Sequence, residues 1–155
     1  FEQGFLEQDA LLRVHRLCLG AKLPALAARE FEVDLLALIE AAKARLADGW
    51  AVFAMEGKGI RCVSDEPWIT ASETAEASIA HAVIGDMATA TDLLAWTRPH
   101  RQDDGSYLTG IVYPTLESFP PNETSAYTGA AVILAADAIT GASAASNVFV
   151  PRTTD

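Results

Sequence analysis

Basic residues are scarce in this 155-residue chain: 11 Lys and Arg face 21 Asp and Glu, for a formal net charge of −10. So acidic a surface repels phosphate backbones and anionic headgroups, which argues against nucleic acid as a partner. Cysteine is scarcer still, with only Cys18 and Cys62. Two thiols, with no basic-then-apolar leader before them, point to a reducing, cytoplasmic setting rather than a disulfide framework. Long apolar runs are also lacking. The most apolar stretch, residues 126–145, holds Asp137 and two glycines and is mainly alanine, short of the roughly 20 strongly apolar residues of a membrane span. Methionine is missing from the first position, where Phe1 stands, as expected of a fragment or a processed product.

What the chain does have is material for a core. Half of its residues are hydrophobic, which at this length suffices for one folded domain. Phe5, Leu6, Leu12 and Leu19 recur at helical spacing and Gly20 follows, predicting a first helix over 5–19. Phe31, Leu35, Leu38, Ala42 and Leu46 form one stripe of a second helix that should stop at Asp48-Gly49. Residues 50–67 carry Gly57 and Gly59 and the segment GIRCV, so a small β-hairpin or ordered loop belongs there. Thr70 and Glu73 have capping-box spacing and open a helix to about Ile84. Gly85-Asp86 turns the chain into a further helix from Met87 to about Thr97, ended by Pro99. Pro120-Pro121-Asn122 should start a last helix over about 123–139, with Gly141 as its stop.

An internal repeat organises these segments. DLLAL at 34–38 returns as DLLAW at 92–96, and each copy precedes an Asp-Gly turn, a loop and a Glu-Thr pair opening an alanine-rich helix. Alanine-rich helices suit an inner layer and leucine-rich ones an outer layer. The predicted fold is therefore all-α: repeated antiparallel helix pairs forming part of an α/α toroid, with short irregular or β-hairpin loops. Residues 1–149 make one helical domain, with N-terminal helices over 5–48 and the repeats over 49–149, and 150–155 form a tail.

Three blocks carry a family resemblance: GKGIRCVSDEPWITASETAEA, LLAWTRPHRQDDGSYLTGIVYP and ETSAYTGAAVILAADAITGA. Together, over roughly Ala44 to Phe149, they resemble the C-terminal part of prenyltransferase-like proteins of the squalene-cyclase and prenyltransferase (terpenoid cyclase) superfamily. Gln102, Gly105 and Tyr107 are similar to its Gln-and-Trp motif, which is structural, with Tyr107 in place of the tryptophan. The resemblance implies an α/α toroid that handles an isoprenoid or other long apolar ligand. A full toroid holds more helix pairs than the three counted here, so self-association or a partner protein would have to close it.

The family's catalytic signatures do not follow. Asp-x-Asp-Asp is absent, and Asp103-Asp104 reads as the start of a turn before Gly105. Asp-Asp-x-x-Asp is absent too, because position 107 is Tyr. Cys62, Asp65 and His81 do not match the family's zinc ligands, and His15 with Cys18 lacks a second pair to complete four ligands. No metal and no cofactor is expected. Asn122-Glu123-Thr124 fits a glycosylation sequon, but helix capping is the simpler reading.

The ligand-binding candidates are Asp65, Trp68, Glu73, Tyr107, Tyr113, Phe119, Glu123 and Tyr127. The aromatic members cluster around loops that open the inner helices, where they could line an apolar pocket or pack in the core. Glu73 and Glu123 begin those helices, where capping accounts for them most simply. Three functions remain: an isoprenoid-binding protein, a non-catalytic helical assembly module, or a carbohydrate-active toroid. The last uses Glu73 and Glu123 as paired carboxylates, which glycoside cleavage needs within roughly 5 to 9.5 Å of each other.

Overall fold

The computed structural model describes residues 25–150, with side chains from residue 37 onward. The helix predicted over 5–19, with His15 and Cys18, lies outside the described residues, as do residues 151–155. The chain divides into two compact units, residues 1–47 with 153–155 and residues 48–152. Helix α1, Ala25–Phe53, runs through the boundary. In the first unit its surface carries exposed Leu38 and an ion pair between Lys43 and Glu40 at 2.9 Å. The predicted stop at Asp48-Gly49 is overrun. One internal glycine costs about 1 kcal/mol, which the surrounding good helix formers offset.

In the second unit, strands β1 (Ala54–Met55), β2 (Gly59–Arg61) and β3 (Trp68–Thr70) lead directly into helix α2 (Ala71–Val83) and then α3 (Met87–Trp96). A 3-10 turn at Arg98–His100 precedes β4 (Gly110–Val112), β5 (Glu117–Ser118), helix α4 (Ala126–Thr140) and a second 3-10 turn at Ala144–Val148. The strands form a five-stranded sheet in chain order, antiparallel throughout. Helices α2 and α3 are inserted between β3 and β4, which still pair directly, Thr70 opposite Gly110 and Trp68 opposite Val112.

This corrects the all-α toroid expected from sequence: the unit is mixed α/β. Strands of two or three residues are too short to display the period-two alternation by which a strand is recognised. One of the four pairings, β3 with β4, also joins segments that local reading cannot connect. The repeat is not one of equal helices either, since DLLAL lies inside the 29-residue α1 and DLLAW inside the 10-residue α3.

The core is built from small side chains. Ala75 of α2 meets Ala131, Val132 and Ala135 of α4, with Ile79, Leu94 and Tyr107 packed around them. Alanine faces let the two helix backbones approach closely, so α2 and α4 lie side by side and start at the same end. Ser78 donates to the carbonyl of Ala90 at 2.8 Å, fastening α2 to α3 inside the core. The Thr74 hydroxyl accepts from the Ile60 amide at 2.9 Å and donates to the Thr70 carbonyl at 2.7 Å, tying β2 to α2. Gly59 is required beside it, because an added Cβ would stand 2.6 Å from Thr74 Oγ1. At the far end of α2, Trp50 packs edge-on against His81, ring centroids 5.6 Å apart, and His81 Nδ1 lies 3.1 Å from the Asp86 carboxylate.

Candidate functional site

The sheet aligns three segments whose order in sequence gives no hint of their proximity. The Ala71 amide donates to the Thr109 carbonyl at 3.2 Å, and the Thr109 amide donates to the Glu123 carbonyl at 2.9 Å. Leu108 and Thr124 form an isolated antiparallel bridge alongside. The start of α2 and the approach to α4 therefore lie across one another with Thr109 between them. Helix α4 begins at Ala126, capped by the Ser125 hydroxyl accepting from the Thr128 amide. Glu123 precedes the helix that it was expected to open, and Asn122-Glu123-Thr124 does not supply the cap.

Glu73 sits in the first turn of α2, half-buried. Thr70, at the N-cap, makes no side-chain cap bond to the backbone, so the predicted capping box does not close in its usual form. The Glu73 carboxylate instead accepts from the Ser72 hydroxyl at 2.7 Å and from the Cys62 thiol at 3.9 Å. Burial pushes the Glu73 pKa up, but the Thr70 and Ser72 hydroxyls, the backbone at the helix start and the Cys62 thiol outweigh it and hold the carboxyl below its ordinary value. Glu73 is thus held ionised. Burial first, and the Glu73 charge second, raise the Cys62 thiol.

One turn further along α2, exposed Glu76 accepts a hydrogen bond from the Tyr127 hydroxyl of α4. That bond and the nearby Glu76 charge raise the Tyr127 pKa, with smaller contributions from burial and the charge of Glu73. Two carboxylates, at i and i+3 on one helix, therefore act on one phenol. Glu76 escaped the sequence reading because its partner is 51 residues away and nothing local distinguishes it from a solvated helix glutamate. On the neighbouring segment Glu123 accepts from the Thr109 hydroxyl at 2.9 Å.

The other candidates divide. Trp68 and Phe119 come together, rings 5.1 Å apart and perpendicular. Tyr107 packs against the helical core cluster. Tyr113 lies under the Lys58 ammonium, 4.4 Å from the ring centroid, and burial raises its pKa. Asp65 is exposed in the loop between β2 and β3. Asp104 accepts from the Ser106 amide at 2.9 Å and from its hydroxyl at 2.7 Å, an Asx-type turn before Gly105. Among the described residues no three His, Cys, Asp or Glu side chains are grouped to hold a metal ion. Among them, too, no helix is long and apolar enough to cross a membrane.

Comparison with known proteins bears on this acid-rich end. No family model matches the chain. The chain is similar to an MMP endo-(1,4)-3-O-methyl-α-D-mannosidase from Mycolicibacterium hassiacum, 44% identical over 110 residues, covering 71% of this chain and 30% of that protein. The chain thus spans under a third of its relative's length. The likeness is to a carbohydrate-active enzyme and overturns the squalene-cyclase and prenyltransferase resemblance, together with the isoprenoid ligand it implied. Order of helices, turns and aromatic loops carried that resemblance. Such features describe how helices pack and leave the chemistry of the site undetermined.

Proposed function

We propose that this chain belongs to a carbohydrate-active protein and contributes acid groups that bind and cleave a mannose-type glycan, with 4-linked 3-O-methyl-α-mannosides as the first substrates to test. The observation that carries this reading is the 44% identity over 110 residues to a mannosidase. The grouping of Glu73, Glu76, Tyr127, Thr109 and Glu123 at one end of the paired helices supports it. Glycoside cleavage uses two carboxyl groups, one protonating the leaving oxygen and one ionised to activate water or attack the sugar. Glu73, kept ionised by its donors, suits the second task. Glu76, on the same helix and tied to Tyr127, stands beside it as the partner carboxyl.

The test is incubation of the protein with 4-linked 3-O-methyl-α-mannose oligosaccharides, following products by mass spectrometry. Shorter oligosaccharides should form, and Glu73→Gln and Glu76→Gln should each reduce their formation by about 100-fold or more. Neither binding nor cleavage of any mannoside by the unaltered protein would refute the reading.

One observation favours a second function, a helical module that docks on a partner protein or a second copy. Helix α4 exposes Ile133 at 69% together with Ala130 and Leu134, more apolar surface along one helix than solvent favours. Light scattering showing a monomer at all concentrations, with no dye-accessible apolar surface, would count against it.

A further inference from the structure

Tyr127 and Glu76 meet where neither gains much stability by it. Tyr127 is 65% exposed and Glu76 is exposed as well, so water competes for both groups and the net gain from their bond is small. The helices do not depend on it either, because α2 and α4 are already joined through buried Ala75 against Ala131, Val132 and Ala135. What the bond does is restrict an acid. A glutamate on a helix surface samples many rotamers, and holding it in one carries an entropic cost that a partner must offset.

The phenol that holds it is itself fixed. Tyr127 lies in the first turn of α4, where the Ser125 hydroxyl accepts from the Thr128 amide at 3.1 Å and shares a second bond with the Thr128 hydroxyl at 2.9 Å. Four residues on, Ala131 joins the buried cluster with Ala75, the residue before Glu76. Cap and helix packing therefore set the phenol against Glu76, and its hydroxyl donates to Oε1. Oε2 is left to exchange a proton with a ligand. A donor so placed acts on the chemistry of an acid. As a carboxyl gives up its proton, a hydrogen bond to its other oxygen becomes charge-assisted and strengthens. Donors aimed where charge develops favour the transition state over the ground state.

We propose that Tyr127 is a positioning residue for Glu76, holding Oε1 so that Oε2 delivers the proton, and steadying the carboxylate as it forms. This deepens the carbohydrate reading and rests on it. In the step it serves, the proton moves from Glu76 Oε2 to the glycosidic oxygen while the bond from that oxygen to the sugar C1 breaks, its electron pair staying on the oxygen. Either Glu73 itself or a water whose proton passes to Glu73 completes the bonding of C1. Tyr127 keeps its own proton throughout and touches no sugar atom.

Cleavage of a 4-linked 3-O-methyl-α-mannose tetrasaccharide by four proteins tests it: the parent, Tyr127→Phe, Glu76→Gln and the double variant. Tyr127→Phe removes one exposed oxygen and keeps the ring. It should lower kcat about tenfold, equivalent to about 1.4 kcal/mol, while KM stays within about twofold. In the Glu76→Gln background the same substitution should change kcat by less than about twofold, because the group through which it acts is gone. Its circular dichroism spectrum should match the parent's. A full rate in Tyr127→Phe overturns the role while the carbohydrate reading stands. A tenfold loss in both backgrounds, or a raised KM with unchanged kcat, overturns it as well, since Tyr127 would then meet the sugar directly. Loss of the fold in Tyr127→Phe also overturns it, because the bond would then serve the helix pair. Absence of cleavage by the parent overturns both readings together.

Discussion

The phenol of Tyr127, in the first turn of α4, donates to the carboxylate of Glu76 in α2. This bond joins the two helices at the end where Glu73 also stands, and makes Tyr127 a reporter on both acids.

Titration of Tyr127 should therefore follow Glu76. The hydrogen bond and charge of Glu76 are the leading causes of its raised pKa, so Glu76→Gln should bring the phenol down toward 10. Ultraviolet absorbance at high pH, compared with a Tyr127→Phe variant, reads the change. An unaltered titration in Glu76→Gln would show that the two side chains do not meet in solution.

His100 makes stability depend on pH. It is fully buried at the 3-10 turn after α3, and burial lowers its pKa from 6.5 to about 4, against an opposing pull from the Leu108 backbone. The unfolded chain binds the proton first, so stability is retained above pH 6.5 and is lost as pH falls from there toward 4. The shift corresponds to a loss on the order of 3 kcal/mol. Urea unfolding between pH 7 and 4 should show this decline, and His100→Phe should flatten it over that window.

Thr74 holds sheet and helix together through its hydroxyl. Thr74→Val keeps the shape and strands the Ile60 amide without its acceptor, a loss of about 1–3 kcal/mol. Chemical denaturation measures it. A change below about 0.5 kcal/mol would mean that water replaces the hydroxyl at no cost.

The Cys62 thiol reads out the state of Glu73. Burial is the main cause of its raised pKa, with the Glu73 charge next, so Glu73→Gln should lower the thiol pKa part of the way toward its ordinary value. Reaction with an aromatic disulfide reagent at pH 8 should then be faster in the variant than in the parent.

The two helix starts were legible to different degrees. Asp86 caps α3 from the residue where Gly85-Asp86 predicted a turn, accepting from the Thr89 amide, because capping is a local property. Ser125, the cap of α4, is less conspicuous in sequence than Pro120-Pro121-Asn122, so the sequence places the helix start early and Glu123 inside it, whereas the helix begins at Ala126. The sheet was legible least, since Trp68–Thr70 and Gly110–Val112 pair across two intervening helices. The candidate residues followed the same rule. Glu73, Glu123, Trp68, Phe119 and Tyr127 were visible as residue types near loop ends, whereas the Tyr127–Glu76 bond and the Thr109 bridge between α2 and α4 come from register alone. Helical order alone does not distinguish the families, because proteins of unrelated chemistry share it.

Helices α2 and α4 start side by side, which brings two like poles together. Each N-terminus carries about half a positive charge, and the pair would push apart if left bare. Glu73 and Glu76 act as the counterweight that lets two such ends share one corner of the molecule. Stripping both acids should therefore loosen the helix pair itself, most visibly at low ionic strength, even where no sugar is present.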